Sequence, residues 1–395
     1  MTNEAMLRNL PDTSKSIFTR LRMDGPLTKA DLLRLPDMTL TTLNRFMKPL
    51  ETRALIAECG LADSSGGRKP ALYDVDRRRY RLIGMDISRT YTQVVVTNLK
   101  MEVMRKFQFP MDSSCTPERT VARAAGLLRE AFDTNRIAQD DIIGIGIAAV
   151  GPLDAERGVI LNPLNFAAPG WTNVPITEMA SKSLGLSAVM DNGANCAVTA
   201  EHHFGSGRGL ENIAYFNCGV GIRCGSISGG QLVRAPDGAE DAFAHMTVDV
   251  DGERCSCGKR GCVECYAGIR AIENFYSAQH GKNARAFSFQ EICEASEAGE
   301  AAAVRTIERA ATIFGTGLAN YMNLLNPDLI VLSGPLIERS ALFNRIAIET
   351  AIGRNYLGSG THTAFRKGGL FGDAVMAIGA AAMAIEFSLY AKNDT

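Results

Sequence analysis

The chain has 395 residues, a length that calls for two or three compact units with buried cores. With 46% hydrophobic and 22% charged residues it has the composition of an ordinary globular protein, which excludes a disordered or fibrous chain. The formal net charge of -1 hides an asymmetry, because residues 1–80 hold 14 Lys/Arg against 10 Asp/Glu and leave the remainder mildly acidic.

In residues 12–24, Ile17 and Leu21 stand four apart behind Asp12, Thr13 and Ser14, a pattern that predicts a helix closed by Asp24-Gly25-Pro26. Thr28 to Leu35 forms a short second helix. After the turn Pro36-Asp37-Met38, a third runs from Thr39, its N-cap, to about Leu50, with Leu43, Phe46 or Met47, and Leu50 facing inward. Three helices in this order are a helix-turn-helix unit. Thr41, Thr42, Asn44, Arg45 and Lys48 point away from the apolar face, and with Thr39 they are the candidate groove-reading residues. Pro49 lacks an amide donor, so the helix is expected to stop or kink near it. Ala54–Cys59 and Ala71–Val75 read as two strands around a tip at 63–70 in which Arg68 and Lys69 can meet phosphate or a minor groove. Such a tip is a wing.

From Arg81 the pattern turns to strands at 82–87, 93–97 and 103–107, a helix from about Pro117 to Phe132, and a strand at 142–148 ending in Gly151-Pro152-Leu153. A strand-to-helix passage follows at 188–195. A similar cycle recurs, with strands at 213–217 and 225–228, a long helix over about 301–325, and a buried strand at 329–332 ending in Ser333-Gly334-Pro335. No apolar run near 18 residues and no signal-peptide leader stand out, which predicts a cytoplasmic protein with no membrane partner.

This order of segments resembles the ROK family of repressors, open reading frames and sugar kinases. The likeness rests on Gly146-Ile147-Ala148-Ala149-Val150-Gly151-Pro152, on Asp191 to Asn195, and on His245-Met246-Thr247-Val248 leading into the run from Cys255 to Glu264. It implies an α/β chain with an N-terminal winged helix-turn-helix at 1–80 and a two-lobed actin- or hexokinase-like domain at 81–395. Lobe 1 would span about 81–198 plus a C-terminal helix at about 374–395, and lobe 2 about 199–373. Family members with this N-terminal extension are mostly regulators of carbohydrate genes. The resemblance therefore implies a double-stranded DNA operator, a sugar or sugar-derivative effector that closes the lobes, a homodimer or higher homo-oligomer, and association with the nucleoid when bound.

Cys255, Cys257 and Cys262 place three thiolates on one tight loop, a donor set that favours structural zinc. The resemblance adds His245 as fourth ligand, with Cys265 a rival. It also implies a catalytic base, the Asp of Asn-Asp-Ala-Asn, at the position of Gly193, so no catalytic residue is expected and the chain is read as a non-enzyme. The nucleotide loops differ as well: Asp86-Ile87-Ser88-Arg89-Thr90, Gly219-Val220-Gly221-Ile222-Arg223 and Gly334-Pro335 replace glycine-rich family sequences. Effector-binding residues carry over to Asn165, Asn192, His245 and Glu264. Ala242 replaces a family glutamate, for which Glu240 or Asp241 can compensate. The alternatives are a sugar kinase with an atypical active site and a regulator controlled by a protein partner.

Overall fold

The computed structural model describes residues 3–63, 69–163, 166–234, 242–281 and 285–391. They form two compact units, one of residues 1–196 with 373–395 and the other of 197–372.

The first unit begins with α1 (Asn3–Arg8), α2 (Asp12–Asp24), β1 (Leu27–Thr28), α3 (Lys29–Leu32), α4 (Leu40–Thr52), β2 (Ile56–Leu61) and β3 (Ala71–Val75). Thr28 and Asp31 close a reciprocal capping box that starts α3, and the Thr39 hydroxyl caps α4. Ile17, Phe18, Leu21, Leu32, Leu43 and Leu50 are fully buried where α2, α3 and α4 meet. The three strands pair antiparallel in the order β1-β3-β2, behind the helices. Pro49 predicts a stop or kink in α4, but the helix continues to Thr52. Proline removes one amide, whereas Leu50 beyond it is fully buried and anchors the last turn.

The same unit continues with β4 (Arg81–Ile87), β5 (Tyr91–Thr97), β6 (Val103–Pro110), α5 (Pro117–Asn135), β7 (Ile142–Ala149), the small pair β8 (Leu153–Asp154) and β9 (Val159–Ile160), α6 (Ile176–Leu184) and β10 (Ala188–Asn192). The sheet order is β10-β7-β4-β5-β6. The pairs β10–β7 and β7–β4 are parallel, and β4–β5–β6 is an antiparallel meander. Helices α5 and α6 cover one face. The C-terminal helix, Val375–Tyr390, covers the other so closely that a Cβ at Gly84 or Gly146 would fall 1.8 or 1.7 Å from the Ala377 or Ala380 carbonyl oxygen.

Gly372–Tyr390 is long and apolar enough to cross a membrane by length and composition, which corrects the expectation of no such run, but 67% of that window is buried. The helix is a core element. Its far end holds the N-terminal elements: Glu386 is ion-paired with the buried Arg22, and the Tyr390 hydroxyl meets Thr19 Oγ1 at 2.9 Å. From the β5–β6 turn, Lys100 Nζ donates to the Leu21 and Gly25 carbonyls, both at 2.9 Å, at the C-terminal end of α2, and pairs with Asp74 at 2.9 Å.

Helix α7 (Gly193–Phe204) begins in the first unit and ends in the second. The second unit holds β11 (Ile213–Cys218), β12 (Ile222–Ser228), β13 (Gln231–Leu232), α8 (Glu264–Ala267), α9 (Ile269–Gln279), α10 (Phe289–Glu297), α11 (Ala301–Leu325), β14 (Leu329–Ser333), α12 (Pro335–Arg339), α13 (Ala341–Arg354) and β15 (Ala364–Lys367). Its sheet order is β13-β12-β11-β14-β15, with β11, β14 and β15 parallel. Counted from its first strand, each sheet reads 3-2-1-4-5, so one supersecondary unit occurs twice. Phe216, Phe243, Phe314 and Tyr321 pack edge to face in this core, and α13 lies along α11.

Candidate functional site

Helix α4 carries an exposed strip of Thr41, Asn44, Arg45 and Lys48 opposite the buried Leu43, Met47 and Leu50, and Leu40, on the apolar side, is exposed at the first turn. The expected groove-reading residues divide within it. Thr39 Oγ1 accepts from the Thr42 amide at 3.2 Å and lies 2.9 Å from Thr42 Oγ1, so both hydroxyls serve the helix start. Asn44 Oδ1 accepts from Lys29 Nζ at 2.7 Å, and the Arg45 guanidinium rests over the Phe46 ring. Thr41, Arg45 and Lys48 remain turned outward. Lys69 is exposed just before β3, and Arg68 and the expected wing tip at 64–68 lie outside the described residues. Leu40 was not singled out from the sequence, because periodicity assigns a leucine to the core.

In the second unit, His245, Cys255, Cys257 and Cys262 bring their four donor atoms within 4.8 Å of one another. Phe243 inserts into the aromatic core and so holds the short turn that ends at His245. Across from it the Thr247–Cys262 bridge and the Val263 amide bond to the Met246 carbonyl, 3.0 Å, fix the last cysteine. The loop between is closed by the Cys255 amide on the Lys259 carbonyl at 2.8 Å. Gly261, at φ 68°, lies so close to the Asp249 carbonyl that no side chain fits.

Cys257 and Cys262 sulfurs are 3.7 Å apart and Cys255 Sγ is 3.6 Å from His245 Nδ1. A tetrahedral zinc with bonds of about 2.0–2.3 Å needs donor spacings of roughly 3.5–3.8 Å, so the donors suit that ion. Burial opposes ionisation at Cys255, but the Cys257 amide and the thiols of Cys257, Cys262 and Cys265 outweigh it and bring it down to about 6. Cys265 is not one of the four clustered donors.

At the end of β10, Asp191 Oδ1 accepts from the Asn192 amide at 2.7 Å and from Asn195 Nδ2 at 3.0 Å, while Asn192 Oδ1 accepts from the Ala194 amide at 2.8 Å. These side chains are 1–2% exposed and organise the first turn of α7. Asp191 is therefore a capping group here. A Cβ on Gly193 would lie 3.0 Å from Met376 Sδ of the C-terminal helix, so a thioether borders the space that a longer side chain would enter.

Asp86 at the end of β4 is fully buried. Burial pushes its carboxyl up to about 7, against the pull of a 2.9 Å hydrogen bond from the Tyr91 hydroxyl. In the second unit Glu264 Oε2 accepts from the Ile222 amide at 3.2 Å, which ties the start of α8 to the β11–β12 hairpin. Among the other effector candidates, Asn165 lies outside the described residues, as do Glu240 and Asp241.

The ROK family profile matches residues 82–386, more than half of the chain. The chain belongs to the ROK family. It is 25% identical over 324 residues to a xylose repressor of Bacillus spizizenii, covering 82% of each chain. It is 27% identical over 267 residues to a glucokinase of Thermotoga maritima, covering 65% of this chain and 82% of that one. The crystal structure of a ROK family transcriptional regulator homologous to the E. coli MLC protein superposes with a TM-score of 0.78 at 20% identity, covering 98% of both chains, a likeness of fold. The ROK domain thus occurs in relatives named as repressors and as kinases.

Proposed function

We propose that this chain is a sugar-responsive transcriptional repressor of carbohydrate-metabolism genes. The observation that carries the reading is the strip of Thr41, Arg45 and Lys48 on an exposed, capped helix, ahead of a ROK domain. Short polar and cationic groups on such a helix suit the base edges and phosphates of a major groove. The repressor relative, matched over 82% of its length, supports the same assignment.

The protein acts in the cytoplasm on a double-stranded operator, as a symmetric homodimer whose two helices meet two half-sites. The Cys3His cluster holds one structural zinc through His245, Cys255, Cys257 and Cys262. When bound, the ion supplies cross-linking of the loop and no hydrolytic chemistry. Asn192, His245 and Glu264, with Asn165, recognise the effector. Phosphoryl transfer is absent, a reading supported by Gly193 and by Asp191 being engaged in the α7 cap.

The test measures binding of the full-length protein to a duplex carrying the region upstream of its own gene, across a salt series and with D-xylose, D-glucose or N-acetylglucosamine added. Sequence-selective, salt-dependent binding that one sugar weakens is the expected result. Retention that ignores both sequence and sugar would overturn the proposal.

A further inference from the structure

Leu40 is the first helical residue of α4 and is 54% exposed. The α2–α4 cluster does not lack apolar packing sites, since Ile17, Phe18, Leu21, Leu32, Leu43 and Leu50 are all fully buried there. A leucine placed one residue after the N-cap leans toward the helix start, which the Thr39–Thr42 pair caps. It is exposed beside that strip, one turn before Asn44, at the N-terminal end of such a helix, the end that brings side chains to base edges.

The hydrogen-bonding capacity of this strip is partly spent at home. Thr39 and Thr42 hold each other and an amide, and the Asn44 carbonyl oxygen is taken by Lys29. An apolar side chain in this place has one apolar counterpart on a major-groove edge, the C5-methyl of thymine. We propose that Leu40 is a specificity-determining residue that reads a thymine methyl in each operator half-site, a role that rests on the DNA-reading assignment above.

The test begins by selecting binding sites for the full-length wild type from a random-sequence duplex pool. Each thymine of the selected site is then replaced singly by deoxyuracil, which removes the methyl and leaves every hydrogen-bonding group. Wild type should lose about fourfold in affinity at one thymine per half-site. Leu40→Ala should be indifferent at that position while keeping the wild-type salt slope, and Leu40→Met should keep the sensitivity, which separates loss of the contact from loss of fold. Two results sink the inference while leaving the DNA-reading assignment standing: no uracil-sensitive thymine, or an unchanged sensitivity in Leu40→Ala. A wild type that enriches no sequence overturns both.

Discussion

Arg22, fully buried in α2, is ion-paired with Glu386, twelve residues into the C-terminal helix. Burial lowers the guanidinium pKa to about 10, so the charge is retained at neutral pH and its partner compensates it. Removing that partner takes a carboxylate away from a buried cation. Glu386→Gln should therefore destabilise the first unit by on the order of 3 kcal/mol, whereas Arg22→Met with Glu386→Leu should cost much less. Urea unfolding of the three proteins measures both, and equal losses in the single and double variants would contradict the role given to the pair.

Asp86 gives a pH dependence with a definite sign. Its carboxyl is raised to about 7 in the folded chain against an ordinary value of 3.8, so the folded state holds a proton that the unfolded state has released. Stability due to this group is present below about pH 4 and is lost as pH rises toward 7. Asp86→Asn removes the dependence. The variant should gain on wild type across that window by up to roughly 4 kcal/mol, read from unfolding midpoints at pH 4.5 and 7.5.

Elemental analysis of protein purified without chelator should give about one zinc per chain. Cys257→Ser should lose the metal and lower the melting temperature by on the order of 10 °C, while Cys265→Ser should keep it. Metal-free protein that is fully folded at the wild-type temperature would remove zinc from the account.

Gly193→Asp should not create a sugar kinase. The new Cβ would press on Met376 Sδ at 3.0 Å, and Ser88 and Arg89 put side chains where the family resemblance implies glycines. Turnover with ATP and D-glucose should stay far below the roughly 1–100 per second of kinases, in the single variant and in Gly193→Asp with Met376→Ala alike. A rate within that range would show that one carboxylate was all that was missing.

Much of the architecture was legible because it is written in periodicity. Buried Leu43, Met47 and Leu50 mark one face of α4, and the continuous apolar runs of β4, β7 and β14 mark buried strands. The cysteine spacing pointed to a three-thiolate loop, which the fold joins to His245. Periodicity failed where single residues answer to distant parts of the chain. Helix α1 is only six residues long, too short for a pattern. Pro49 reads locally as a stop, but the burial of Leu50 decides the outcome. Leu40 follows the composition of a core residue and lies outside the core. Neither Gly84 nor Gly146 reveals alone that a helix from the end of the chain rests on it.

That last arrangement sets an order of events during synthesis. The sheet of the first unit is translated early, yet the helix that covers its second face follows only after residues 197–372, roughly 10–35 s later at ribosomal speed. Until then strands β4 and β7 have an open apolar side and the Glu386 carboxylate has not yet reached Arg22. A nascent or prematurely terminated chain is thus a client for chaperones before it is a reader of DNA, and a stop codon within the final twenty residues would be felt at the opposite terminus.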